Sequence, residues 1–224
     1  MKMTASLADI HELVARFTGP SMTQTLSRIE GMAQGTTAQS SANFLENAGI
    51  DRDTLSAAAE MKRLAGQINV TIHALGILLC LPHILETGEK VEYVSLGAGN
   101  TGRKFDLETN LRVAEFKFIT WRGGAESIRQ NGVFKDYFLL AEDPTKKKKH
   151  LYLLETKHAL KFLQSNRSLS SILSRNNKLH TMFFKRFGET FRTVGEYYAA
   201  HSHTVKIDDV SPWLSELTEG LTAT

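Results

Sequence analysis

Apolar and polar positions alternate with different periods along the chain. Residues 4–30 carry short helical patterns, with Leu7, Ile10, Leu13, Val14 and Phe17, then Leu26 and Ile29, at helix-like spacing. Residues 31–43 are small and polar without periodicity, which predicts a loop. From Asp53 the pattern is strongly helical. Asp53 or Thr54 is placed to cap a helix through Met61, Leu64, Ile68 and Ile72 to about Leu81, where Pro82 disturbs or ends it.

The period then changes to two. Residues 91–96 read as a strand closed by the glycines at 97 and 99, residues 104–109 as a second, and residues 112–120 as a third, with Asn110 at the turn between them. Trp121, Arg122, Gly123 and Gly124 break the run. A helix over about 125–141 follows, its apolar side formed by Ile128, Val133, Phe134, Tyr137, Phe138 and Leu140. After a lysine-rich loop, residues 150–154 predict a fourth strand, and residues 157–200 read as helical and basic. The order helix–strand–strand–strand–helix–strand predicts an α/β core with a mixed sheet over 54–163. A helical extension over 1–53 precedes it, and a basic helical region over 164–224 packs on it.

Composition narrows the class. With 224 residues, 42% hydrophobic and 23% charged, the chain can bury a sizeable core, so disorder and collagen-like structure are excluded. Cys80 is the single cysteine, which rules out an internal disulfide and a cysteine-based zinc site. The opening MKMTASLADIHELV lacks the apolar stretch of a secretory signal. The run over 68–85 approaches a membrane span but is interrupted by Asn69, Thr71, His73, Pro82 and His83, so the expectation is a buried core helix, no membrane and a cytoplasmic protein.

Charge is concentrated late in the chain. Residues 146–192 hold 12 basic residues and only two acidic ones, Glu155 and Glu189. Such a surface suits a polyanion, because each neutralised phosphate releases a condensed counterion; a solvated helix face with a lysine loop is the plain alternative. The candidate phosphate contacts are Lys146, Lys147, Lys148, Lys149, Arg167, Arg175, Lys178, Lys185, Arg186 and Arg192. Nothing visible encodes base readout.

The candidate chemistry lies on the second and third strands. A turn near Asn110 and Leu111 places Asp106 opposite Glu115, and Lys117 projects from the same face by the period of two. Facing carboxylates repel, and a hard divalent cation with oxygen ligands reconciles them, which suits Mg²⁺ or Mn²⁺. A surface ion-pair network is the competing account. A one-residue slip would move Asp106 to the other face.

Asp106 followed by Glu115-Phe116-Lys117 around a hairpin resembles the signature of the PD-(D/E)XK nuclease superfamily, over residues 54–163. The resemblance implies a restriction-endonuclease-like αβββαβ core. It also implies metal held by Asp106, Glu115 and the Phe116 carbonyl, with Lys117 positioning or activating water. Phe105 stands where that family often has proline. Gln130 matches a glutamine found on the following helix in some members, but Phe134 replaces their tyrosine. Two other acidic-x-Lys triplets, at Glu60 and Glu155, lack an acidic partner across a hairpin. Glu60, Glu108 and Glu126 are possible further ligands, with an exposed strand glutamate the plainer reading of Glu108.

The remaining motifs have dull readings. Gly97, Gly99 and Gly102 match a dinucleotide fingerprint but precede a strand where a helix is needed. His73 and His83 read as core histidines, and Met182, Phe183, Phe184 and Phe187 as helix packing. His201 and His203 lack a third metal partner. The expected function is a Mg²⁺- or Mn²⁺-dependent deoxyribonuclease, more an endonuclease than an exonuclease, acting in defence, repair or a mobile element. Its partner is DNA, with RNA not excluded, and a homodimer would suit double-strand cutting. The alternatives are a non-catalytic nucleic-acid- or protein-binding module on a nuclease-like fold, and a protein whose basic surface meets an acidic partner.

Overall fold

The computed structural model describes residues 6–97, 104–118, 121 and 126–218. The chain forms two compact units, residues 1–69 and 70–224.

The first unit is helical: α1 (Leu7–Thr18), α2 (Met22–Ala33), α3 (Ser41–Asn47) and the start of α4 (Arg52–Ile84). Ser6 and Asp9 form a reciprocal capping box on α1, and Gly19 ends that helix at φ 56°, a conformation glycine adopts without strain. The loop expected over 31–43 is shorter than its composition suggests, because α2 runs to Ala33 and α3 starts at Ser41. The cap of α4 is neither Asp53 nor Thr54: Asp51 Oδ1 accepts the Thr54 N–H at 2.7 Å.

The second unit is α/β. It contains the rest of α4, β1 (Val91–Val94), β2 (Leu107–Thr109), β3 (Arg112–Lys117), α5 (Ser127–Ala141), β4 (Lys148–Leu153), α6 (Lys157–Leu163), α7 (Leu169–Leu173), α8 (Asn177–Phe187), α9 (Val194–His201) and β5 (Lys206–Asp209). The five-stranded sheet runs β1-β2-β3-β4-β5. Its first three strands are antiparallel, and β3, β4 and β5 are parallel. The helix α5 makes the crossover that a parallel β3–β4 pair requires. The stretch expected as continuous helix over 157–200 is four helices, broken at Ser168, Asn176 and Thr193, each of which precedes a new helix. The loop from 98 to 103, with most of the glycine fingerprint, lies outside the described residues, as do residues 119–120 and 122–125.

The sheet is covered on both faces. On one, Ile77, Cys80 and Ile84 of α4 pack with Leu107, Ala114, Phe116, Tyr152 and Val210. On the other, Val133, Phe134, Tyr137 and Phe138 of α5 join Val113, Leu151, Leu153, Phe183 and Tyr197. The phenylalanines of α8 are packing residues, as their spacing suggested.

The expectation that α4 is a buried core helix requires correction. Gly76, Ile77, Cys80 and Ile84 are buried, but Ile68, Leu75, Leu78 and Leu79 are exposed. A single sheet face covers only one stripe of a helix. By length and composition α4 is long and apolar enough to cross a membrane, with a mean hydropathy of 1.7 in its most apolar window. Pro82 does not end it; the helix continues to Ile84, and the proline sits in the last turn.

Candidate active site

Leu107 lies opposite Ala114 and Glu108 opposite Val113. These two pairs have the register expected from the turn; Asp106 itself stands just before β2, and its side chain reaches that of Glu115 across the hairpin. Leu107 and Ala114 are in the core beneath α4, so Glu115 and Lys117 belong to the face beneath α5, whereas Asp106, ahead of β2, also reaches His73 of α4. The turn that sets this register is tied to the preceding loop. Thr109 Oγ1 accepts the N–H groups of Leu111 and Arg112 and donates to Glu89 Oε1 at 2.6 Å. Asn110 Oδ1 accepts the Lys90 N–H at 2.7 Å. Arg112, only 3% exposed, grips Glu89 with two nitrogens at 2.5 Å and donates to the Tyr152 hydroxyl at 2.7 Å.

Five side chains meet around the hairpin. Asp106 Oδ2 accepts the Phe116 N–H at 3.0 Å, and Oδ1 is 3.4 Å from His73 Nε2 of α4. Lys117 Nζ is 2.7 Å from Asp136 Oδ2 of α5. The Lys117 carbonyl accepts the Leu154 N–H beyond β4. Residues alternate in the direction their peptide groups point, so the Phe116 peptide faces the Asp106 side.

Three carboxylates, Asp106, Glu115 and Asp136, thus surround one lysine and one histidine. Burial pushes the Glu115 carboxyl up to about 9, reinforced by Asp136 and then Asp106. Burial also raises Asp136, against the pull of Lys117. For Asp106, burial is outweighed by the hydrogen bonds of His73 and Phe116, and its carboxyl is held low. Lys117 stays protonated, because Asp136 outweighs the cost of burying its ammonium. The oxygen donor set fits a hard divalent cation. Among the described residues no group of three or more His, Cys, Asp or Glu side chains is arranged to hold a metal ion. A metal here would rest on Asp106, Glu115 and the Phe116 carbonyl, completed by oxygens from outside the chain.

Asp136 and His73 escaped the sequence reading as site residues. Asp136 lies three residues after Val133 and four before Leu140, both buried, so a carboxylate on the inner stripe of α5 was the available signal. Gln130, buried on the same helix, lines a separate cleft with Trp121. Glu60 and Glu126 pair with Arg63 and Arg129 on their own helical segments, and Glu108 lies 3.3 Å from Lys147. Glu155 adopts φ 60° beyond β4 and faces a cavity of about 10 Å³ that Lys117 also lines.

The lysine run is remote from this cluster. Lys148 pairs with Arg112 at the start of β3, five residues from Lys117, or about 16 Å along the strand. Lys147 and Lys148 pair with Glu92 and Glu86, and Lys149 donates to the Ala141 and Asp143 carbonyls. Lys146, Lys178 and Lys185 are exposed. Arg175 donates to Ser127 Oγ, and Arg186 pairs with Glu142. Arg167 lines the cleft beside Gln130. Compared with protein-family models, with curated proteins and with solved structures, the chain finds no match.

Proposed function

We propose that this protein is a divalent-metal-dependent nuclease that hydrolyses DNA phosphodiester bonds on a restriction-endonuclease-like core. The observation that supports the reading is the meeting of the Asp106 and Glu115 side chains across the hairpin, with Asp106 on the Phe116 N–H and Lys117 held by Asp136 beside them. The element order α4-β1-β2-β3-α5-β4 and the mixed sheet agree with it.

Asp106, Glu115 and the Phe116 carbonyl would hold Mg²⁺ or Mn²⁺. Such an ion, when bound, polarises the phosphodiester and acidifies water. The chain's own contribution is positional. Asp136 fixes the Lys117 ammonium at the end of β3, where it orients the attacking water and balances charge developing on the phosphate. His73 and the Phe116 N–H fix the Asp106 carboxylate from two sides. Water adds to phosphorus as the bond to the 3′ oxygen breaks, which leaves a 5′-phosphate and a 3′-hydroxyl.

The test is cleavage of plasmid, linear duplex and single-stranded DNA in Mg²⁺, Mn²⁺ or EDTA. Metal-dependent cutting is expected, with Asp106→Ala and Lys117→Ala each losing it by a factor of at least about 100 while remaining folded. Salt-sensitive DNA binding without metal-dependent cutting would overturn the reading in favour of a binding module. Loss of cutting in Glu155→Ala but not in Glu115→Ala would place the site on the wrong strand.

A further inference from the structure

A second feature of the same end of the sheet is a cleft of about 500 Å³ lined by Trp121, Gln130, His158, Lys161, Phe162, Ser165 and Arg167. That volume is in the range of small-molecule sites. Trp121 also walls the small cavity that Lys117 lines, so the cleft adjoins the proposed active site through one side chain.

Its lining is unusual for a merely structural hollow. Trp121 and Gln130 are 6% and 7% exposed, yet the Trp121 Nε1 donor and the Gln130 Oε1 acceptor have no hydrogen-bond partner. Buried polar atoms are normally paired, and leaving them unpaired is costly. Among the described residues, Lys161 and Arg167 form no ion pair. His158 and Lys161 lie three apart on α6 and share its face. Arg167 stands on a segment locked to the start of α9: the Arg167 carbonyl accepts the Val194 N–H at 2.9 Å, and the Ser165 carbonyl accepts the Gly195 N–H at 2.9 Å. A Cβ on Gly195 would stand 3.0 Å from the Gln164 and Ser165 carbonyl oxygens, so this position needs glycine for its close approach.

We infer that this cleft binds the terminal nucleotide of a nucleic-acid strand, with Lys161 and Arg167 on its terminal phosphate and the Trp121 and Gln130 polar groups on the same nucleotide. Two cations lining one cleft match the dianionic phosphate monoester of a strand end better than the single charge of an internal phosphodiester. The inference rests on the nuclease reading for the nature of the strand and gives the enzyme a preference for phosphorylated ends.

The experiment measures binding of the full chain in EDTA to short fluorescent oligonucleotides that end in a 5′-phosphate, a 3′-phosphate or hydroxyls alone. One phosphorylated end is expected to bind at least about tenfold more tightly than its hydroxyl counterpart, and the two phosphate arms identify which end is held. Arg167→Ala and Lys161→Glu should erase the difference; Lys161 is exposed, so its replacement leaves the fold intact. A phosphorylated mononucleotide should compete and its nucleoside should not. Equal affinity for phosphorylated and hydroxyl ends, or a preference that survives both substitutions, would overturn the inference. Because EDTA removes catalysis, the two readings fail separately. End preference without metal-dependent cleavage overturns only the nuclease reading, and cleavage without end preference overturns only this one.

Discussion

Replacing Glu89 with glutamine should be among the most damaging single changes in the sheet. The Glu89 side chain is fully buried and is gripped by Arg112, itself 3% exposed, through two contacts of 2.5 Å. Removing one member of a buried ion pair leaves the other charge unbalanced, at a cost of about 3–5 kcal/mol. For a chain of this length each kcal/mol moves the melting temperature by roughly 2–4 °C, so a loss of roughly 6–20 °C is expected. Burial alone would raise the Glu89 carboxyl, but hydrogen bonds from Arg112 and Thr109 outweigh it and hold it at about 2. A depressed carboxylate stabilises the fold above its unfolded value near 4.5, and that contribution is lost as pH falls toward 2. At about 1.4 kcal/mol per unit this is worth up to about 3 kcal/mol, and Glu89→Gln should lose that acid sensitivity. The assay is urea unfolding by circular dichroism at pH 3 and pH 7, with the paired change Arg112→Met, Glu89→Leu alongside. The pair should recover most of the loss, because no charge is left buried. A cost under about 1 kcal/mol for Glu89→Gln, or a paired variant as weak as the single one, would refute the assignment of this pair as the anchor of the β2–β3 turn.

Two further outcomes follow from the site. Glu115 is raised toward 9, so without metal its contribution to stability is complete below about 4.5 and is lost as pH climbs through 9, by at most about 1.4 kcal/mol per unit. Thermal melts from pH 5 to 8.5 in EDTA should show that decline, Glu115→Gln should flatten it, and added Mg²⁺ should raise the melting point of the parent protein alone. Glu155 holds a left-handed φ of 60°, so Glu155→Gly should raise stability by up to about 1 kcal/mol in a denaturant titration and leave cleavage unchanged.

The hairpin could be read from the chain because its signals are local. Asn110 marks the turn, and once the turn is placed the Leu107–Ala114 and Glu108–Val113 pairs follow. Asp136 and His73 join the cluster only through packing of α5 and α4 on opposite faces, and neither contact has a signature in nearby residues. β5 was missed for a related reason: Lys206, Ile207, Asp208 and Asp209 contain one apolar residue, and the strand is held by pairing with β4 and by the 2.8 Å contact of Asp208 with His150. Charge density carries no direction, so the distance of the lysine run from the Asp106 cluster was not legible in the chain. A crossover helix makes β3 and β4 parallel, and that places the start of one strand and the end of the other at opposite edges of the sheet.

The strand β3 has a consequence for how such a protein can diverge. Arg112 ties the turn, Val113 and Ala114 enter different cores, Glu115 and Lys117 face the site, and Phe116 fills the layer under α4. None of these six consecutive positions is a bystander. A saturation scan should therefore find an unbroken block of intolerance here, whereas a one-sided strand would show every second position free. Drift would be channelled into the exposed face of α4 and the loop that leads into β4, and efforts to retarget the protein belong in α6, where side chains can change without disturbing the strand.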